Sequence, residues 1–334
     1  MLAAYPVRGD SLAVRIRECQ DLGADGLNGQ HRGGYALFDP AMQAALLDRL
    51  ALERDLAEAA ARGELRVCYQ PVVDLATGRA TCLEALVRWQ HPTRGLVPPG
   101  AFIPLAEEAG LIVPLGRWVL AEACRQVVAW GGAYPDAAAP ALAVNLSPRQ
   151  FRDPGLVADV AAILAATGLP AERLTLEVTE SAAMERIAET LATLAALKAL
   201  GVRLALDDFG TGHSALANLR QLPLDTLKID RSFFQEDPAN RAIVGAVNAL
   251  AHGLGLDVTA EGLETAAQVA WARAAGCERG QGFYFARALP AETIAALWGA
   301  GLAFDLPAGR SPAPVPVAAP STAAIRATVP GASA

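Results

Sequence analysis

The feature that most restricts the fold of this chain is a repeated switch between two hydrophobic periods. Short apolar runs with strand character alternate with longer segments whose apolar residues recur every three or four positions. Residues 65–75, 82–89, 142–146, 174–178, 202–206, 226–229, 257–260 and, at the end, about 282–285 read as strands. Between them lie predicted helices. Pro114 suits the first turn of one that runs to about Trp130, with Leu120, Cys124, Val127 and Val128 on its apolar face. A second covers about 155–167. A third carries Ile187, Leu191 and Leu194 on one face and stops near Gly201. About eight strands alternating with helices over roughly 250 residues predict an α/β protein built as a TIM-like (β/α)8 barrel. A doubly wound open sheet is the alternative, but no GxGxxG follows a strand to support it.

Composition sets the outer limits. The chain has 334 residues, of which 53% are apolar and 19% charged, enough to bury a sizeable core. A net charge of −7 argues against binding a nucleic acid polymer, which needs a basic face. A small phosphate ligand remains compatible, because a few local cations or metal ions can hold one. The cysteines are Cys19, Cys68, Cys82, Cys124 and Cys277, odd in number and without a CxxC pair. They read as reduced thiols in a cytoplasmic protein. The four histidines form no HExxH, so no zinc site is expected. No secretory pattern opens the sequence, and no run reaches about 18 apolar residues. The longest candidate, 242–256, contains Asn248 and His252 and reads as a buried helix rather than a membrane segment.

Three regions follow from this pattern. Residues 1–45 read as irregular and turn-rich, residues 46–305 as the barrel, and the Pro/Ala-rich 306–334 as a disordered tail. A linking helix is expected over about 41–62.

The placement of polar residues carries the functional signal. Glu84 lies inside LEALVRW and Glu177 inside LTLEVTE. Asp207 and Asp208 close VRLALDD, and Glu261 follows DVTA. Asn145 lies in AVNLS and Lys228 in TLKID. A lone Glu in a strand usually faces solvent, a terminal Asp is often a helix cap, and a lone Lys is usually a solvated end. Here such groups recur at strand end after strand end, and in a barrel those ends converge on one mouth. Several carboxylates there would cost several kcal/mol if left unpaired. An all-oxygen set of Glu, Asp and Asn suits Mg²⁺ or Mn²⁺ as the neutralising ion. The loop FGTGHSAL after Asp208 has glycines that permit a tight turn near a ligand, and Ser214 in it reads as a helix cap.

Glu84-Ala85-Leu86 sits within a longer series of motifs. YQPVVDLATG precedes it and VRWQHP follows. FIPLAEE, NLSPRQF, EVTES, DDFGTGHS, LKID, AEGLET and QGFYF then occur in order over about residues 50–303. This series resembles the EAL family of bacterial cyclic di-GMP phosphodiesterases. The resemblance implies a barrel whose first strand runs antiparallel to the rest, a homodimer, and hydrolysis of cyclic di-GMP to linear pGpG with two Mg²⁺ or Mn²⁺ ions per site. It implies Glu84, Asn145, Glu177 and Asp207 as ligands of one metal, with Asp207 bridging to a second held by Asp208. Glu261 and Lys228 match positions at the attacking water. Arg88 matches a phosphate contact, and Gln70 belongs to the same substrate-binding surface. Gln281 matches a position near the second metal, and Glu180 the glutamate that steadies the loop after Asp208.

Two positions depart from the family pattern: Ala288 where a proline is expected and His213 where a tyrosine is common. Neither matches a metal ligand, so tuning of loops is the expectation. Upstream, GGYALFDPAM resembles the closing segment of a GGDEF diguanylate cyclase domain, without that domain's signature loop. The competing function is an EAL domain that binds cyclic di-GMP or a partner protein without hydrolysis. It would be favoured by missing ligands, and none is missing.

Overall fold

The computed structural model describes residues 16–18, 35–37, 40–134, 140–210, 216–235, 237–299 and 301–307. Its strands are β1 (Ile16–Glu18), β2 (Tyr35–Leu37), β3 (Leu65–Asp74), β4 (Ala80–His91), β5 (Gly95–Val97) and β6 (Ala141–Leu146). They continue with β7 (Leu174–Thr179), β8 (Arg203–Phe209), β9 (Thr226–Ile229), β10 (Asp257–Ala260), β11 (Arg279–Gly280) and β12 (Leu289–Pro290).

Eight of these close a barrel in the order β3, β4, β6, β7, β8, β9, β10, β11 and back to β3. Every contact between neighbours from β4 to β11 is parallel, whereas β3 is antiparallel to both β4 and β11. This is a TIM-like (β/α)8 barrel with one reversed strand. Because β3 is reversed, β11 and β12 share one of its edges in succession: Gly280 lies opposite Val73 and Leu289 opposite Tyr69. The segment between them therefore stays at the barrel mouth.

The two faces of each strand differ in chemistry, as a closed barrel requires. Outward positions such as Leu83, Leu142, Val144, Leu174, Leu176, Leu204, Leu206, Leu227 and Val258 are buried under the helices and form the main core. Inward positions follow another rule. A small residue near the floor is followed two positions later by a polar one: Cys82 and Glu84, Ala143 and Asn145, Thr175 and Glu177, Ala205 and Asp207, Thr226 and Lys228, Thr259 and Glu261. Val72, Cys82 and Ala143 make a small separate apolar cluster that forms the floor. The spacing of two is the strand period, so all the polar groups reach the same level.

The helix Pro40–Ala59 is fixed to the outside of β4. Leu56 and Ala59 are buried, Asp55 Oδ2 stands 3.3 Å from His91 Nε2, and Arg94 makes a two-pronged contact with Asp48 at 2.9 and 2.6 Å. His91 Nδ1 accepts from the backbone N–H groups of Thr93 and Arg94, so its other nitrogen carries the proton toward Asp55.

Several sequence expectations are corrected. The last barrel strand is Arg279–Gly280, not 282–285. Phe285 N and Ala286 N both donate to Gly282 O, closing a helical turn, and Tyr284, Phe285 and Phe304 pack edge to face. Aromatic residues suited to a strand are thus spent on a packed turn. The helix expected to open at Pro114 opens two residues earlier, at Ile112, after Gly110 turns the chain with φ 76. The apolar run 242–256 belongs to an amphipathic surface helix, Pro238–Gly253, that buries Val244, Asn248 and Ala251 and leaves Ile243 exposed. Within 1–45, read as irregular, β1 and β2 pair antiparallel and a helix starts at Pro40. At the other end Leu302 is buried and Phe304 and Leu306 pack on the core. Cys68 is half-buried, and Cys82, Cys124 and Cys277 are buried free thiols. Cys19, His213, Ser214 and the tail from 308 lie outside the described residues.

One close approach ties two mouth loops together. Leu263 N donates to Gln281 O and Tyr284 N to Leu263 O. A Cβ on Gly282 would meet the Leu263 backbone oxygen at 2.1 Å and nitrogen at 2.2 Å. Backbone on both sides cannot yield, so Gly282→Ala should destabilise the protein by about 1–3 kcal/mol. Urea denaturation should show a lower midpoint with an unchanged slope. A midpoint equal to wild type would mean that this contact is not needed.

Candidate active site

The inward polar groups meet in two linked clusters. The first is built around Lys228, whose side chain is 3% exposed. Its Nζ lies 2.8 Å from Glu177 Oε2, 3.1 Å from Asp207 Oδ1 and 2.7 Å from Glu261 Oε1. These acids come from β7, β8 and the end of β10, so one ammonium on β9 bridges three neighbouring strand ends. The second cluster is built around Glu84. Asn145 Nδ2 donates to its Oε1 at 2.6 Å and Gln281 Nε2 to its Oε2 at 2.5 Å. Gln281 Nε2 also reaches Gln70 Oε1 at 3.2 Å, and Gln70 Nε2 donates to Ala286 O at 2.9 Å.

Adjacent residues of a regular strand face opposite ways, so Asp207 and Asp208 should not share a site. The pairing of β8 with β9 slips between Leu206 and Phe209, and Asp208 has φ 54. This is a β-bulge with an Asp in the left-handed region, a conformation Asp tolerates better than most side chains. It brings carboxylate oxygens of Asp207, Asp208 and Glu261 within 4.8 Å of one another. The chain leaves the bulge through Gly210, whose N–H donates at 2.8 Å to Oε2 of Glu180, the buried first residue of the short helix that follows β7. Gly210 has φ 96, and a Cβ there would strike the Phe233 ring at 2.5 Å.

Electrostatics follow from burial. Desolvation raises the Glu177 carboxyl well above its ordinary value, with Glu84 and Asp207 adding to the rise and Lys228 opposing it. Burial likewise pushes Glu261 up to about 8. Asp208 is raised by burial and by Asp207. For Lys228 burial works against the charge, but Glu177, Glu261, Glu84 and Asp207 together hold its pKa well above the usual lysine value. The ammonium is therefore firmly charged, while the acids around it are poorly compensated.

That imbalance fits a divalent cation. Asp207 Oδ1 and Gln281 Oε1 are buried and accept no well-formed hydrogen bond among the described residues, although Lys228 Nζ stands close to the former. Hard oxygen donors with spare lone pairs suit Mg²⁺ or Mn²⁺.

The structure brings together Glu84, Asn145, Glu177, Asp207, Asp208, Lys228, Glu261, Gln281 and Gln70. Glu180 supports the adjoining loop. Arg88 sits four residues beyond Glu84 on the same face of β4, half-buried, with Nη1 on Val87 O and no acid partner among the described residues. Gln281 contacts Glu84 and Gln70. Sequence reasoning also missed Phe283 and Arg287, which stack on the mouth loop.

The EAL domain profile matches residues 53–288. The chain belongs to the EAL domain family. Over 271 residues it is 45% identical to the bifunctional diguanylate cyclase/cyclic di-GMP phosphodiesterase MucR of Pseudomonas aeruginosa, covering 80% of this chain and 39% of that protein. The EAL chain thus spans well under half the length of such curated relatives. Among solved structures, the PaMucR phosphodiesterase in complex with c-di-GMP is 46% identical with a TM-score of 0.69, covering 73% of this chain and 99% of that one. The FimX EAL domain from Pseudomonas aeruginosa bound to c-di-GMP is 26% identical with a TM-score of 0.65, covering 72% and 96%.

The raised Glu261 carboxyl gives a pH test. Its folded pKa of about 8 lies above the ordinary 4.5, so the folded state holds this proton more tightly than the unfolded state. That contribution is full at acid pH and is lost as pH rises through about 8. Glu261→Gln, permanently neutral, should gain stability relative to wild type progressively from about pH 4.5 to about pH 8, and no further above it, in chelator, read by thermal melting. Saturating Mn²⁺ should abolish the trend. A difference independent of pH in chelator would contradict the assignment.

Proposed function

We propose that this chain hydrolyses one phosphodiester of cyclic di-GMP, releasing linear pGpG. The observation that carries the reading is the joined site itself. A buried Lys228 meets Glu177, Asp207 and Glu261 beside the amide-held Glu84, all at the mouth of an EAL barrel. The relatives named for cyclic di-GMP hydrolysis, or solved with c-di-GMP bound, supply the substrate class.

Glu84, Asn145, Glu177 and Asp207 would hold one Mg²⁺ or Mn²⁺, and Asp207 with Asp208 a second. Such ions, when bound, offset phosphate charge and acidify water. The protein's own groups do the remaining work. Glu261, with a carboxyl poised near neutral pH in the free protein, takes the proton of the attacking water. Lys228 orients that water and stabilises charge as it builds on the phosphate oxygens. Arg88, without an acid partner among the described residues, meets the phosphate. Gln70 and Gln281 position Glu84 and line the substrate surface. Glu180 holds the loop that follows Asp208 through Gly210 N. We further read residues 33–42 as the end of a GGDEF-like segment and the active unit as a homodimer.

Two variants and a chelator test this reading. EDTA should abolish hydrolysis, and Mg²⁺ or Mn²⁺ should restore it. Glu84→Ala should lose turnover by orders of magnitude with unchanged circular dichroism. Lys228→Ala should still bind cyclic di-GMP with metal present yet hydrolyse it very slowly, because an interaction made chiefly in the transition state lowers turnover more than affinity. Wild type that binds tightly and yields no pGpG would make the chain a receptor. Full activity in EDTA would remove the metal from the mechanism.

A further inference from the structure

The acids and amides of the site can engage one phosphodiester, but a cyclic dinucleotide also carries two purine bases. Among the described residues, the exposed large apolar side chains are Leu46, Leu47, Leu50, Leu96, Ile243, Phe283 and Leu297. Phe283 is the one aromatic among them, 51% exposed, and it lies two residues after Gln281.

Its loop is held firmly. Gln281 is tied to Glu84, Ala286 O accepts from Gln70 Nε2, and Leu263 brackets the turn from both sides. The neighbouring aromatics Tyr284 and Phe285 are used up in packing, Phe285 being buried against Phe304. Phe283 stands apart from that cluster. Just beyond the turn closed on Gly282, the Arg287 guanidinium carbon lies 4.0 Å from the Phe283 ring centroid. Arg287 makes no ion pair among the described residues, in a chain of net charge −7. A cation therefore covers a half-exposed aromatic ring at the rim of the mouth.

We infer that Phe283 and Arg287 form a purine-stacking subsite at the mouth, which receives one base of the cyclic dinucleotide on the exposed part of the ring. The inference rests on the cyclic di-GMP reading. Phe283 gives the flat apolar surface that base stacking needs, and Arg287 adds a positive charge near the ligand's phosphates. The ring sits on a loop anchored to Glu84, so base binding and phosphate placement are mechanically connected.

The test is calorimetric titration of the full chain with cyclic di-GMP in the presence of Ca²⁺, expected to hold ligand without turnover, together with KM measured in Mn²⁺. Phe283→Ala should weaken binding and raise KM by about tenfold or more, the loss of one base stack. Phe283→Trp, which keeps an aromatic plane, should retain affinity. Arg287→Ala should weaken binding less, and the loss should shrink at high salt. Phe283→Ala that binds as tightly as wild type would overturn the subsite while leaving the hydrolase reading intact. Wild type that binds ligand but never hydrolyses it, with Phe283→Ala still weakened, would keep the subsite and sink the hydrolase. Wild type that binds no cyclic di-GMP would overturn both.

Discussion

Lys228 is a charged ammonium with almost no contact with water, and the rest of the site is arranged to make that tolerable. A buried ion costs several kcal/mol unless its partners are close and well placed. Here three carboxylates from three neighbouring strand ends lie within 3.1 Å of it. The arrangement works in both directions. Without the ammonium, Glu177, Asp207 and Glu261 would repel one another in a poorly solvated space. With it, their charge is only partly offset, and burial, with a smaller push from neighbouring acids, still raises the carboxyls of Glu177 and Glu261. Glu84 is relieved differently, by amide donors from Asn145 and Gln281. A surplus of oxygen donors next to a fixed cation is a surface prepared for divalent metal and phosphate.

The barrel supplies this arrangement through its two strand faces. Leucine and valine point outward to the helices, while small residues near the floor leave room for a ring of polar side chains two positions higher. One strand needs a device beyond alternation. The bulge at Asp207-Asp208 turns two consecutive acids to one side, and Gly210 and Glu180 secure the chain as it leaves. On the opposite wall, the reversed β3 leaves its edge to β11 and then to β12. The loop between them carries Gln281 down to Glu84 and Phe283 out to solvent.

Much of this was legible in the sequence. Strands β9 and β10 have the bounds that alternation predicts, and polar groups at strand ends were readable as one mouth once a barrel was expected. The roles of individual residues were not. Lys228 at the end of a short run looks like a solvated terminus, and nothing local marks it as the hub of three acids from other strands. A contact such as Gln281 with Glu84 spans 197 positions and exists only after closure. The bulge at Asp208 was hidden because consecutive acids break the alternation on which strand reading depends. The aromatic run Phe283-Tyr284-Phe285 misled in the opposite way, since strand-like composition here serves a turn that packs on Phe304. For these positions the family motifs carried what periodicity could not.

The most direct measurement is the fate of cyclic di-GMP incubated with the purified wild-type chain and Mn²⁺ in ¹⁸O-labelled water. Water attacking phosphorus at the Lys228–Glu261 mouth predicts pGpG as product, with a single ¹⁸O on its terminal phosphate, resolved by chromatography and mass spectrometry. Recovery of intact cyclic di-GMP, or of pGpG without label in that phosphate, would contradict the account.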